Sequence, residues 1–303
     1  IDARTLADIC KAMEEAIVDV TVTFELYNIP PMTFDDEIVM DPYQGGSRPI
    51  CRTRRWTQKG PSWETLTAKR PFNEWLLSAS ESVVTNERGE TIKTSGQTSY
   101  GGKQVMSFSK RVLTYKSDDG TMGQRTFLEG NVSTFDAALK PSLILTPFGF
   151  SVFRFSYDRE GVPLSDRLRK SDMVSIDTTI TRVNDSNAIR ADFMFEGTRT
   201  VVTRVFFSMD HGYTPIRYEF MNGPNLAFSV DVTSLQSVGN GLWFPSSGVI
   251  NVPDAERVTA FRTKGPIIVN QGLTERDFNI TFPAGTRVEN HITGKTYTVQ
   301  PTE

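Results

Sequence analysis

The chain has two histidines, and imidazole is the side chain most often used as a general base in catalysis. His211 lies in Met-Asp-His-Gly-Tyr and His291 lies in Asn-His-Ile-Thr-Gly, and both patterns are typical of turns. The sequence contains neither a Gly-x-Ser-x-Gly motif nor a reactive-cysteine motif to supply a nucleophile. We therefore interpret both as turn residues and predict no catalytic residue. A hydrolase that uses His211 or His291 with a nearby carboxylate is the less favoured alternative.

Pairs of neighbouring acidic residues could supply the two carboxylates of a hydrolase or the ligands of Ca²⁺. They are Asp35-Asp36, Asp118-Asp119 and Glu14-Glu15. Neighbouring residues of a strand point to opposite faces, and none of these pairs has the spacing of a calcium loop. We interpret the pairs as solvated turn residues, and we predict neither a metal nor another cofactor.

The chain has two cysteines, Cys10 and Cys51, and two histidines, and we do not expect them to form a Cys/His metal cluster. They could form a disulfide if the protein is exported, because oxidising compartments permit one. The alternative, which we favour, is two buried free thiols, and the sequence leaves both readings open.

Aromatic residues could form a stacking platform for sugars or bases, or they could pack the core. The tryptophans are Trp56, Trp63, Trp75 and Trp243, and the chain also has 20 phenylalanines. Most lie in strand-like segments with β-branched neighbours, where aromatic side chains usually pack inside. We expect most of them to be core residues.

Composition restricts the class of protein. The chain has 303 residues, of which 38% are hydrophobic and 23% charged, with a formal net charge of −3. Such a chain can bury a sizeable core, and its charge does not form the basic patch expected of a nucleic-acid binder. Its apolar stretches are far shorter than the roughly 20 residues of a membrane-spanning helix, and no signal-peptide pattern is present. Without linker-like composition, we expect a single domain over 1–303, with 253–303 as a C-terminal β extension.

The N-terminus combines one helix with one strand. Apolar residues recur every three or four positions between Leu6 and Ile17, and Asp2 precedes them as a plausible N-cap. From Val18 the pattern changes to strict alternation, with Val22 and Phe24 among the apolar members. The helix must therefore lead almost directly into a half-buried strand.

Most of the remaining chain predicts antiparallel strands joined by short turns. Between 51 and 130 we expect strands at 53–57, 62–69, 77–85, 91–95, 105–115 and 124–128, and alternation is strongest between 189 and 233. A tail over 277–299, in which Phe278, Ile280 and Phe282 alternate, predicts two more short strands. A second short helix is expected over 163–170, where Pro163 suits a first helical position.

Two segments depart from this pattern. Residues 29–50 are rich in Pro, Gly and Asp, and we interpret them as a long excursion from the sheet. The segment from Leu139 to Phe155 is strongly apolar but is interrupted by Pro141, Pro147 and Gly149. Such a segment must cover something or be covered, so it is either a movable lid of an apolar cavity or a plug of the core.

The order of these elements resembles the outer-membrane lipoprotein carrier (LolA-like) superfamily. The resemblance covers most of 3–252 and includes the helix that feeds the Val-Asp-Val-Thr-Val-Thr-Phe strand. It also includes the Pro-broken apolar segment and the phrases Gly212-Tyr-Thr-Pro-Ile and Gly241-Leu-Trp-Phe-Pro. The chain is longer than the small carriers, and no position here matches a carrier's functional arginine.

The resemblance implies an α+β fold, in which a large curved antiparallel sheet forms an incomplete β-barrel with helices over its concave face. It further implies a non-catalytic protein of the bacterial periplasm or cell envelope that binds a lipid or a lipoprotein acyl chain in an apolar cavity. An envelope sensor or scaffold that binds a protein partner through the same fold is the alternative. We expect the cavity or its lid to include Met13, Val22, Phe24, Leu139, Leu143, Ile144, Leu145, Phe148 and Phe150.

Overall fold

The structure is a computed structural model. It describes residues 1–29, 33–39, 51–58, 60–69, 75–101, 104–117, 119–134, 163–170, 172–195 and 197–301. Two α-helices lie in these residues, α1 (Ala3–Ala16) and α2 (Leu164–Leu168). The strands are β1 (Asp19–Ile29), β2 (Thr33–Val39), β3 (Cys51–Gln58), β4 (Ser62–Lys69), β5 (Trp75–Asn86), β6 (Thr91–Gly101), β7 (Gln104–Lys116), β8 (Met122–Thr134), β9 (Val174–Val183), β10 (Ser186–Met194), β11 (Val201–Ser208), β12 (Thr214–Asn222), β13 (Asn225–Gly239), β14 (Leu242–Val252), β15 (Arg257–Thr263), β16 (Ile268–Val269), β17 (Arg287–Asn290) and β18 (Lys295–Thr298).

Helix α1 begins and ends close to where the sequence predicts. The Asp2 carboxylate accepts a hydrogen bond from Thr5 N at 2.7 Å, which is the predicted N-cap. Leu6 and Cys10 are buried as expected. Glu14, however, lies within α1 and is also buried, so its interpretation as a solvated turn residue is wrong. Its carboxylate has buried hydrogen-bond donors, which are described below.

The strands form one continuous sheet with β1 near its centre. Along the sheet, β9 to β15 follow in order, then β1, then β4 to β8, β17 and β18. Every neighbouring pair in this path is antiparallel except β8 and β17, which are parallel. No pairing among the described strands joins β9 to β18, so the sheet is open. The predicted fold class, a large curved antiparallel sheet with an N-terminal helix and few other helices, is confirmed.

Cross-strand partners assign each side chain to one face of the sheet, because partners share a face and neighbours along a strand alternate. Val22 pairs with Leu66 and Val20 with Ala68, and all four belong to the core that packs against α1. We call this side the helix face. Thr23 and Thr65 are also partners, and they lie on the opposite side, which we call the outer face.

The stretch predicted as an excursion, 29–50, contains a strand. Thr33–Val39 is β2, which pairs along its whole length with β3. The Pro and Asp residues of this stretch suggested irregular structure, but long-range pairing with β3 overrides that weak local preference.

The C-terminal tail forms two strands, but not where its alternation predicts. Phe278 ends a short 3₁₀ turn, residues 279–283 are not in a strand, and the strands lie later as β17 and β18. Phe278, Ile280 and Val288 are nevertheless buried, so one side of this segment packs inward. Ser99 donates a hydrogen bond to the Phe278 carbonyl, which fixes the tail on the outer face of β6. The alternation of apolar residues therefore indicated that this segment packs inward, although its residues do not form a strand.

Candidate functional site

The helix face over β1, β4 and β9–β15 carries a continuous apolar core. Val22 is 1% exposed and Phe24 is fully buried, with its ring edge-on to Phe261 at 5.6 Å between centroids. Met13 is partly buried against the same core. These three residues were predicted to line a ligand cavity. The structure places all three in the layer between α1 and the sheet, and their contact with a ligand stays a prediction.

Helix α2 is held on α1 by polar contacts at both ends. The Glu14 carboxylate accepts hydrogen bonds from Ser165 N at 3.0 Å and from Ser165 Oγ at 2.5 Å, and both contacts are buried. At the other end of α2, Arg169 donates to the Asp8 carboxylate at 2.8 Å. Since α2 has only five residues, these contacts rather than helix propensity hold it in place.

Aromatic side chains form a row on the helix face, and one of them contacts α2. Phe220 and Phe228 are cross-strand partners whose rings stack with centroids 5.6 Å apart. Phe193 lies on the same face and is covered by the Arg167 guanidinium of α2 at 4.9 Å from the ring centre. Val252 borders the same core. We call Phe193, Phe220, Phe228 and Val252 the aromatic row; Phe220 and Val252 are only half-buried.

The other predicted cavity or lid residues lie outside the described part of the chain. They are Leu139, Leu143, Ile144, Leu145, Phe148 and Phe150. Their role in a lid or a core plug stays a sequence-based prediction.

The histidines are turn residues, as predicted. His211 ends a 3₁₀ turn, and its Nδ1 lies 2.9 Å from Ser208 Oγ and 3.5 Å from Ser186 Oγ. Ser208 is fully buried, so its hydroxyl does not face solvent as a nucleophile would. The neighbouring Asp210 carboxylate binds Asn187 rather than the imidazole. These contacts stabilise a turn and do not form a nucleophile–base–carboxylate arrangement.

His291 lies in the turn between β17 and β18, where it is exposed. Its backbone N–H donates to the Val132 carbonyl at 2.8 Å, and this bond continues the pairing of β17 with β8. The hydrogen bond that His291 makes within the described residues is therefore made by its backbone.

Cys10 is a free thiol buried in the core, so the disulfide alternative is wrong for this residue. Burial raises the pKa of the Cys10 thiol strongly, and the nearby Glu14 carboxylate raises it further. The side chain of Cys51 lies outside the described residues.

The acidic residues that the structure describes make local contacts or pack inward, whereas the side chains of Asp35, Asp36 and Asp118 lie outside the described residues. Glu15 lies 3.7 Å from Lys11, whereas its neighbour Glu14 is turned inward to Ser165. Asp119 accepts hydrogen bonds from Thr121 within one turn, which lowers the pKa of its carboxyl. Among the described residues, no three His, Cys, Asp or Glu side chains are grouped as metal ligands would be.

No helix in the described ranges is long and apolar enough to cross a membrane.

The half of the sheet formed by β5–β8 carries an open cavity on each face. The cavity on the helix face has a volume of about 530 Å³ and is lined by small polar residues, including Ser80, Thr98, Ser107 and Ser109, with the Arg287 and Glu289 side chains at one end. The helix face thus changes from apolar under α1 to hydroxyl-rich beyond β4.

The cavity on the outer face has a volume of about 760 Å³ and lies where the C-terminal segment crosses the strands. We call it the outer cleft. Its side chains include Thr23, Trp63, Thr65, Ala79, Glu81, Ser95, Gln97, Phe108, Lys264, Thr281 and Pro283. The Lys264 ammonium lies 3.5 Å from the centre of the Trp63 ring.

Sequence reasoning missed this outer cleft. It assigned most tryptophans to the core, but Trp63 is half-buried and lines a cavity. Trp243 is also half-buried, with its ring edge-on to His211 at 4.7 Å. The available signal was that Trp63 alternates out of phase with the buried Leu66 and Ala68 of its strand.

Comparisons with known proteins give likenesses only among solved structures. No family model matches this chain, and no curated protein matches it. A domain from Vibrio parahaemolyticus that is assigned to outer membrane lipoprotein sorting shares 12% identity, with a TM-score of 0.43 and coverage of 92% of this chain and 97% of that chain. A DUF1329 family protein from Desulfovibrio piger has 12% identity, a TM-score of 0.41 and coverage of 92% and 98%. A LolA superfamily protein from Nitrosomonas europaea has 12% identity, a TM-score of 0.39 and coverage of 92% and 98%.

Proposed function

We propose that this protein binds the acyl chain of a lipid or lipoprotein in the bacterial cell envelope and does not transform it chemically. The observation that carries the proposal is the aromatic row. Its members belong to the apolar core of the helix face or pack against it, and two of them, Phe220 and Val252, are only half-buried.

The chemistry of the row suits an acyl chain. Phe220 and Phe228 offer stacked ring surface, and Val252 extends it with an aliphatic side chain. An apolar site of this kind gains free energy mainly from the apolar area that the ligand removes from water. The predicted lid segment, Leu139 to Phe155, precedes α2 in the chain, and its contact with a ligand is part of this proposal.

The absence of turnover is also a proposal, and it is supported by the state of the candidate catalytic groups. The imidazole of His211 is engaged by two serine hydroxyls, of which Ser208 is fully buried. His291 lies in a separate turn of the C-terminal segment.

Native mass spectrometry of freshly purified protein tests the proposal, together with titration of a fluorescent fatty acid. We expect a co-purified lipid mass and saturable probe binding that weakens about tenfold in Phe220→Ala, because this residue supplies apolar area to the row. Ile180→Ala is the matched control, since Ile180 is 60% exposed on β9 and outside the row. Protein that carries no lipid and binds no probe would contradict acyl binding and would favour an envelope protein partner.

A further inference from the structure

We propose that the outer cleft is a second ligand site and that it binds a neutral saccharide. It lies on the opposite face of the sheet from the aromatic row, so the two proposals stand independently. Its volume of about 760 Å³ falls within the size range of small-molecule sites.

The walls of the cleft combine aromatic surface with polar groups. Trp63 and Phe108 are both half-buried and present large aromatic side chains on an outer sheet face, where small or charged residues are usual. A pyranose ring has apolar C–H faces and polar hydroxyl edges, so it can contact rings and hydrogen-bonding groups at once. The same combination of surfaces is present in this cleft.

The polar groups available to a ligand are neutral. In the described part of the chain, the Ser95 hydroxyl, the Gln97 amide and the Thr281 hydroxyl make no hydrogen bond to another side chain or to the backbone. The Gln97 amide supplies both a donor and an acceptor, as a sugar hydroxyl requires. Thr23 and Thr65 hydrogen-bond each other at 2.8 Å and leave further acceptor capacity.

The charged groups of the cleft already have partners. The Glu81 carboxylate lies 3.6 Å from Lys93 Nζ. The Lys264 ammonium lies over the Trp63 ring, a favourable cation–π contact. One carboxylate and one ammonium line the cleft, so their charges cancel and favour a neutral ligand over an ionic one.

The backbone geometry disfavours an extended peptide as the occupant. The floor of the cleft consists of β1, β4, β5, β6 and β7, and each of these strands is paired on both sides. A peptide that adds a strand needs a free sheet edge, and this floor offers only side chains. The cleft is therefore suited to a compact polar ligand that side chains recognise.

The test starts with purified full-length protein on an array of free mono- to tetrasaccharides, followed by calorimetric titration of the saccharide that binds best. We expect Gln97→Ala to weaken this saccharide about tenfold, because a sugar hydroxyl loses its donor and acceptor. Thr98→Ala is the matched control, since Thr98 is the next residue of β6 and lines the cavity on the opposite face. Trp63→Ala should abolish binding. If Trp63→Ala does not fold, Gln97→Ala still tests the proposal, because Gln97 is exposed.

A second arm separates free sugars from lipid head groups. Phosphatidylglycerol vesicles with and without a galactosyl diacylglycerol are tested for sedimentation with the protein. Binding that requires the glycolipid and is competed by free saccharide supports a head-group ligand, whereas binding on the array alone supports a free saccharide. The proposal is overturned if no saccharide binds in either arm, or if Thr98→Ala weakens binding as much as Gln97→Ala.

Discussion

Asp19 joins the C-terminal segment to the start of β1, and its replacement should destabilise the whole fold. The carboxylate is 1% exposed. It accepts backbone hydrogen bonds from Gln271 at 2.7 Å, from Gly272 at 2.9 Å and from Leu273 at 3.1 Å. Three consecutive N–H groups thus converge on one buried carboxylate, which holds the segment that continues towards the outer cleft.

The size of the effect follows from these contacts. A hydrogen bond to a charged group contributes roughly 1.5–3 kcal/mol, and a buried donor left unsatisfied costs about 1–3 kcal/mol. Asp19→Asn keeps the shape but removes the charge and turns an amide N–H₂ towards N–H donors. We expect a loss of about 3 kcal/mol in the free energy of unfolding, or roughly a hundredfold in the folding equilibrium constant. The corresponding decrease in Tm is about 5 °C.

Urea denaturation and thermal melting measure this loss, and hydrogen exchange locates it. The amides of Gln271, Gly272 and Leu273 should exchange faster in Asp19→Asn than in the unmodified protein. Asp185→Asn is the control, because the side chain of Asp185 is 98% exposed and its contact with Arg182 is long. If Asp19→Asn unfolds within about 0.5 kcal/mol of this control, the three hydrogen bonds do not stabilise the fold as argued.

Three further predictions concern the core. Ser165→Ala should cost about 1–3 kcal/mol in urea denaturation, since it leaves the buried Glu14 carboxylate with one donor fewer; an unchanged midpoint would contradict the α1–α2 contact. Gly248→Ala should destabilise the protein by about 3 kcal/mol or more, because a Cβ there would clash with the Phe261 ring and a backbone carbonyl of β13; a melting temperature equal to that of the unmodified protein would refute this. In a Cys51→Ala variant at pH 8, Cys10 should react with a thiol reagent only on unfolding, because it is 1% exposed and its thiol pKa is raised; fast labelling of native protein would show an open core.

Local sequence patterns were sufficient for much of the fold. Helix α1 and its Asp2 cap depend on contacts between residues close in sequence, and the alternation that begins at Val18 follows from the two-residue period of a strand. The fold class followed from the succession of such strands with few helices between them.

Tertiary structure determined which residues contact partners far away in the sequence. The burial of Glu14 depends on Ser165, which is 151 positions away, and the strand at Thr33–Val39 depends on pairing with β3. The outer cleft joins β4 to β7 with Lys264 and Thr281, so no local window of sequence could bring its side chains together. Local periodicity reports which face of an element is apolar, whereas only long-range packing determines which polar and aromatic groups meet around a cavity.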